Sequence, residues 1–393
     1  MFESNIKKTT RVAVIVDSIK HGGGAEKNAA LLATLLARSG VDVTLFTFYS
    51  FKNEYACDCS RVSLNEQPKN TFIKKTAKAL HRLQKIKRFC VQNNISHVIA
   101  FLDEASTYAL LTRLLLFNRS KIIVSVRVDP TFCSTRSKLI IKILYPLAHR
   151  IVGVSLVIER ILREQFRLSN VLTIYNPVDQ DLVKEKMNEP LPPAYRHLGQ
   201  LSRGPMFVNI GRLREQKGQS HLIDILAKFV QRFPSAKLII IGEGAERGNL
   251  QKKIVSYGLE KSVFLVGHQN NIYPFLRISD CFVLSSLYEG FPNVLLEAAA
   301  SGLYIISTDC RTGPREIIAP EKIGERLQYP YRVIGASLVP DFSNSEDPSV
   351  DAVDTFYQEM VWATRHAPVR SRALSVDRFS NQEFLSKWVG VLT

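Results

Sequence analysis

Short apolar runs rich in β-branched residues alternate with longer stretches of helical periodicity along the first half of this chain. Val12–Val16, Val41–Phe48, His97–Leu102, Lys121–Val126, Arg150–Val154 and Val171–Ile174 read as strands. Between them, Ala25–Arg38 and Ile73–Val91 carry apolar residues at helical spacing. Strand–helix alternation predicts a parallel sheet wrapped by helices. From Asn176 to Pro205 the pattern loosens around Pro177, Pro190, Pro192, Pro193 and Pro205, which makes this stretch the best linker candidate. Alternation then restarts, with strands at Met206–Ile210, Lys237–Ile241, Ser262–Val266, Cys281–Ser285 and Leu303–Ser307. Helices are expected at Gly218–Arg232, Ala245–Tyr257 and Asn293–Ser301. The fold class is therefore α/β, with two doubly wound units whose ligands would sit at the carboxyl ends of the strands.

The length, 393 residues, suits two domains, and 46% hydrophobic content can bury a sizeable core in each. Charged residues at 22%, with 20 Gly and 17 Pro, exclude a disordered or collagenous chain. The longest candidate membrane segment, Leu139 to Ile158, is broken by Lys142, His149 and Arg150. Only Val12–Val16 is apolar near the basic N-terminal residues, too short for a signal-peptide core. The cysteines at 57, 59, 90, 133, 281 and 310 form no C-x-x-C pair, so free thiols in a reducing compartment are expected. Charge is uneven: residues 1–200 carry 30 Lys and Arg against 16 Asp and Glu, while residues 201–393 carry 22 against 20. Such a basic half suggests that it meets an anionic surface.

Three segments carry candidate chemistry. After the first strand comes His21-Gly22-Gly23-Gly24-Ala25-Glu26-Lys27, where glycines before a helix start let backbone amides approach an anion. The dinucleotide fingerprint G-x-G-x-x-G fails at Lys27, and no acid closes the second strand, which argues against a nicotinamide enzyme. A tight strand-to-helix turn is the plainer reading. The second unit opens with Gly211-Arg212-Leu213-Arg214-Glu215-Gln216-Lys217-Gly218. Arg212 and Lys217 beside a helix start favour a diphosphate, although two basic residues on a loop are also ordinary solvated surface. The third is Glu289-Gly290-Phe291-Pro292-Asn293-Val294-Leu295-Leu296-Glu297. Glu297 falls inside an otherwise apolar helix, where a buried carboxylate costs several kcal/mol unless it is hydrogen-bonded. Vicinal sugar hydroxyls would supply two donors.

These motifs in order resemble the retaining, nucleotide-sugar-dependent glycosyltransferase family 4, of the type that builds bacterial envelope, capsule and O-antigen glycans. Gly211-Arg212-Leu213 with Lys217-Gly218, Ile241-Gly242-Glu243-Gly244, Val263–Gly267, the E-x7-E pair Glu289 and Glu297, and Ser307–Ile317 carry the likeness. Looser matches are Gly22–Glu26, Ile122–Arg127, Tyr175–Asp179, Leu338-Val339-Pro340 and Arg378-Phe379-Ser380. The resemblance implies a GT-B fold, two Rossmann-like domains facing across a cleft. Residues 1–185 would form an acceptor domain, 205–365 a donor domain and 366–393 a C-terminal helix crossing back to the first.

By the same resemblance, Arg212 and Lys217 hold the donor diphosphate, Glu289 contacts the transferred sugar and Glu297 the ribose. Glu289, Arg212 and Lys217 are then the catalytic candidates. Gly242, Gly244, Phe291, Pro292, Asn293 and Val294 complete the donor site, and Gly22, Gly23, Gly24 and Arg127 line the acceptor side. The implied reaction moves a hexose or N-acetylhexosamine from a nucleotide sugar, UDP-linked by first choice, to a glycan or polyprenyl-diphosphate-linked acceptor. No cofactor or metal is expected, because the basic pair takes the role of a divalent ion. A phosphorylase- or epimerase-like enzyme, or an inactive nucleotide-sugar-binding scaffold, is the alternative. Arg127 stands where many members carry His nearby, and three roles stay open for it: acceptor phosphate, sugar contact or a structural ion pair. Asp179-Gln180-Asp181 spells D-x-D but lies in a polar turn rather than at a metal site.

The segment 72–89 combines apolar Ile73, Ala77, Leu80, Leu83 and Ile86 with Lys74, Lys75, Lys78, Arg82, Lys85, Lys87 and Arg88, and contains no acid. It reads either as a packed surface helix or as a helix resting on anionic lipid. Nucleic acid is disfavoured, because no aromatic platform or binding motif accompanies the charge. The expected location is cytoplasmic, with peripheral association at the inner membrane face.

Overall fold

The computed structural model describes residues 10–66, 72–200, 204–342, 351–366 and 373–393, with residues 72–77 described by their backbone only. The chain divides into two compact units, Met1–Asn176 with Asn381–Thr393, and Pro177–Ser380.

The first unit runs β1 (Arg11–Val16), α1 (Gly24–Arg38), β2 (Asp42–Thr47), β3 (Ser60–Ser63), α2 (Phe72–Gln92), β4 (His97–Phe101), α3 (Asp103–Leu116), β5 (Lys121–Val126), α4 (Thr135–Leu144), β6 (Arg150–Gly153), α5 (Leu156–Glu164) and β7 (Val171–Thr173). Its sheet has the order β3-β2-β1-β4-β5-β6-β7 with every pairing parallel. Five of the six residues of β1 are buried, because helices cover both faces of a parallel sheet. A side-chain cap starts α5, where Ser155 Oγ accepts from Ile158 N at 3.1 Å.

The second unit contains α6 (Gln180–Met187), β8 (Met206–Ile210), α7 (Gln219–Arg232), β9 (Lys237–Ile241), α8 (Arg247–Ser256), β10 (Val263–Gly267), α9 (Tyr273–Ile278), β11 (Cys281–Leu284), α10 (Asn293–Ala300), β12 (Tyr304–Thr308), α11 (Pro314–Ile318), β13 (Tyr331–Val333), β14 (Ala336–Val339) and α12 (Ala352–His366). Its order is β10-β9-β8-β11-β12-β14-β13, antiparallel only at β13–β14. A final helix, α13 (Asn381–Leu392), belongs to the first unit, where Trp388 is fully buried and stacks on Phe101 at 6.0 Å.

Two expected boundaries shift. The proline-rich stretch is not a loose linker: α6 packs on α9 and α10, and Val183, Leu191 and Leu198 are buried. Pro193 opens a 3-10 segment to Gln200, in which Tyr195 donates to Val266 O at 2.8 Å. Residues 177–185 therefore lie in the second unit, and the first unit stops at Asn176. The returning segment likewise begins at Asn381 rather than 366. Arg378 still donates to Ile317 O at 3.1 Å inside the second unit.

The basic helix also differs from its sequence pattern. Arg82 is buried, donating to Glu66 at 2.6 Å, Tyr49 Oη at 2.8 Å and Glu104, with its guanidinium 4.4 Å from the Phe48 ring centroid. Lys78 pairs with Glu66 at 3.0 Å, and Leu80, expected on the apolar stripe, is exposed. The side chains of Ile73, Lys74, Lys75 and Ala77 lie outside the described residues. Among the described residues no helix is long and apolar enough to cross a membrane.

Candidate active site

The second unit builds its candidate site on loops that leave the carboxyl ends of β8, β9 and β11, with β12 behind them. After β8 the chain turns through Gly211, whose N–H donates to Ile241 O at 2.9 Å, and continues through exposed Arg212 to half-buried Lys217. Gly218 ends this loop with φ +61°, and an added Cβ would lie 2.1 Å from Ser285 O. Only glycine allows the loop to lie this close to the end of β11. Gly242 repeats the device between β9 and β8, at φ +148°, where an added Cβ would lie 1.9 Å from Gly211 O, and at Gly244 an added Cβ would meet Leu213 O at 2.1 Å.

The loop after β11 is tied to this first loop at several points. Ser285 Oγ donates to Lys217 O at 2.7 Å, Leu287 N to Gln216 O at 2.8 Å and Gln216 Nε2 to Tyr288 O at 2.8 Å. The result is a direct ion pair, Lys217 Nζ to Glu289 Oε1 at 2.5 Å, in which Ser286 Oγ donates to the same oxygen at 2.6 Å. Thr312 donates to the Glu289 carbonyl, and Thr308 Oγ1 to Ser286 O at 2.7 Å. Buried Asp309 is held by Arg315 Nε at 2.9 Å and Tyr329 Oη at 2.7 Å. The buried Cys310 thiol is pushed up by burial first and then by Glu289, Asp309 and Asp341, with Lys217 opposing.

Phe291 is buried against Phe379 at 5.6 Å, Pro292 caps α10, and Asn293 and Val294 open it. A helix start presents N–H groups to an anion. Glu297 lies on the buried face of α10, 6% exposed, and accepts from Tyr273 Oη at 3.4 Å. The structure thus brings Lys217 and Glu289 together, sets Arg212 on the same loop, and buries Glu297 on the helix that follows.

In the first unit, Gly22 N donates to Tyr55 Oη at 3.2 Å, Gly23 caps α1 and Gly24 begins it. Asp17, at the end of β1, is raised to about 7 by burial first, then by Glu104. Arg127, just past β5, is 8% exposed and donates to Asn176 Oδ1 at 2.5 Å.

Residues 196–328 match the family model described as glycosyl transferases group 1. An uncharacterized glycosyltransferase of Methanocaldococcus jannaschii is 37% identical over 284 residues, 69% of each chain. This chain belongs to the group 1 glycosyl transferases. A second glycosyltransferase, the N-acetylgalactosamine-N,N'-diacetylbacillosaminyl-diphospho-undecaprenol 4-alpha-N-acetylgalactosaminyltransferase of Campylobacter jejuni, is 27% identical over 328 residues, 80% of this chain and 85% of that one. Among solved structures, Anabaena HepE in complex with UDP superposes with a TM-score of 0.73 at 16% identity, covering 98% of this chain and 99% of that one. That likeness shows the fold, which is GT-B.

The residues that hold this glycosyltransferase's two loops together, Gln216, Ser285, Ser286 and Thr312, are not among those the sequence singles out. The available signal is the Ser-Ser pair directly after a buried strand. The D-x-D acids have local roles: Asp179 Oδ1 caps α6 by accepting from Leu182 N at 2.9 Å, and exposed Asp181 faces Lys184 at 4.0 Å. Among the described residues no three His, Cys, Asp or Glu gather to hold a metal ion.

Proposed function

We propose that this glycosyltransferase moves a hexose or N-acetylhexosamine from a nucleotide sugar, UDP-linked by first choice, to a hydroxyl of a glycan or lipid-linked glycan, with retention and without a divalent ion. The observation that carries this reading is the Lys217–Glu289 pair at 2.5 Å, which sets a cation and a carboxylate side by side at the strand ends. A departing nucleoside diphosphate needs positive charge as the anomeric C–O bond breaks, and Lys217 with Arg212 supplies it. Glu289 accepts hydrogen bonds from the transferred sugar, Glu297 from the ribose, and the amides opening α10 add donors to the phosphates. Gly242 and Gly244 keep the floor of this site free of side chains. UDP in the HepE complex and the diphospho-undecaprenol acceptor named for the Campylobacter jejuni enzyme support the substrate classes.

We further infer that the basic first unit rests on anionic lipid at a membrane face. With Arg82 internal, Lys85 and Arg88 carry the exposed charges among the described side chains of α2, and α4 adds exposed Leu139 and Ile143 beside Arg136 and Lys142.

Incubation with a panel of nucleotide sugars and a prenyl-diphosphate glycan tests the reaction, with the product's anomeric configuration read by NMR. Net transfer with retention is expected. Phosphorolysis, epimerisation of the donor or binding without turnover would each replace this reading.

A further inference from the structure

Arg127 sits where β5 ends, beside the end of β4, the region of a doubly wound sheet that receives ligands. Its guanidinium carbon lies 4.5 Å from the Phe101 ring centroid, and Phe101 stacks in turn on Trp388. Nη1 is committed to Asn176 Oδ1 at 2.5 Å, while buried Nε and Nη2 have no hydrogen-bond partner among the described residues. Burial pulls the group below its ordinary pKa, and no charged neighbour among the described residues offsets it. Ser125, two residues earlier on the same strand face, is fully buried, and its Oγ also lacks a partner among the described residues.

Of the three roles open from sequence, a structural ion pair is not formed among the described residues. A sugar hydroxyl would occupy the donors but leave the charge uncompensated, which is costly in a buried site. Nε and Nη2 share one edge of the guanidinium plane, the fork that grips two oxygens of one phosphate. We propose that Arg127, held in register by Asn176, anchors a phosphate-binding site in the first unit, and that the phosphate it holds belongs to the acceptor. The acceptor clause rests on the transferase reading above. The site itself rests on Arg127 alone.

The test reads Arg127 directly. In the 15N-labelled full chain, the Arg127 Nε–H resonance is identified by its loss in both Arg127→Met and Arg127→Lys. Inorganic pyrophosphate should shift that resonance in the wild type, with or without saturating UDP, and glucuronate should not. Calorimetry in an Arg212→Ala background should show pyrophosphate binding weakened about ten- to a hundredfold by Arg127→Met, the loss of a charge-assisted pair. A resonance unmoved by millimolar pyrophosphate overturns the site, and a larger response to glucuronate overturns the phosphate assignment. A chain that transfers sugar without the shift loses only this site. One that shows the shift but transfers nothing keeps the site and loses the acceptor clause.

Discussion

Lys217 Nζ lies 2.5 Å from Glu289 Oε1, a pair made across 72 residues by loops from two different strands. Glu289 is 7% and Lys217 18% exposed at the side chain, so the pair is largely out of water. A buried pair of this kind adds little net stability over an apolar pair, yet breaking it by removing one partner is expensive. Its placement therefore points to function, and a diphosphate reaching Lys217 would share the cation with Glu289.

The close approach behind this pair depends on Gly218. In Gly218→Ala, the new Cβ would meet Ser285 O at 2.1 Å in a backbone with φ +61°. We expect about 2–4 kcal/mol of lost stability together with loss of activity, from strain and a clash that backbone must absorb. Urea denaturation measures it. A neutral substitution would mean that the two loops are not held as described.

Asp17 gives a pH signature. Its carboxyl is raised to about 7 by burial first, then by Glu104, with Glu26 adding and Arg82 and the Ala105 N–H opposing. A folded pKa above the unfolded value of about 3.9 means that the native state keeps a proton the unfolded chain has released. This contribution is fully present below about pH 4 and is lost as pH rises through about 7. The stability difference between wild type and Asp17→Asn should therefore move by about 1–3 kcal/mol in favour of Asp17→Asn from pH 4 to pH 8, after allowing for partial exposure. A pH-independent difference, measured by denaturation across that range, would place the proton elsewhere.

The charge of the first unit motivates a vesicle-binding test. The protein should sediment with anionic liposomes at low salt, less at high salt and not with neutral lipid. Lys85→Glu with Arg88→Glu should weaken binding by about 1 kcal/mol per residue or more. Equal recovery with neutral and anionic vesicles would leave α2 as ordinary surface.

If Arg212 and Lys217 supply the charge that a divalent ion would otherwise supply, as proposed, transfer should persist in excess EDTA. Abolition by EDTA and rescue by Mn²⁺ or Mg²⁺ would reverse that expectation.

Much of the two sheets was legible because central parallel strands are apolar on both faces, as at Met206–Ile210 and Lys237–Ile241. Edge strands were not. Ser60–Ser63 is exposed on most positions, and Tyr331–Val333 is three residues long, so neither has a buried run to read. The prolines of 177–205 look like a linker in sequence, whereas the buried Val183, Leu191 and Leu198 between them dock the segment on its unit. In the candidate site, Arg212, Lys217, Glu289 and Glu297 stood out by type and spacing. Ser286 and Thr312 did not, because hydroxyl partners are chosen by tertiary distance. Arg82 reads as surface charge in sequence for the same reason: its partners Glu66 and Glu104 are far along the chain.

The central claim is that the Gly211–Gly218 loop holds the donor diphosphate, and the most direct measurement is kcat/KM for transfer in Lys217→Ala and Arg212→Ala, with stability measured alongside. Both variants should lose about two to three orders of magnitude in kcat/KM. They should differ in stability. Exposed Arg212 should cost within about 0.5 kcal/mol, whereas removing Lys217 leaves buried Glu289 without its cation and should cost about 3 kcal/mol. Near-normal kcat/KM in both folded variants would contradict the account.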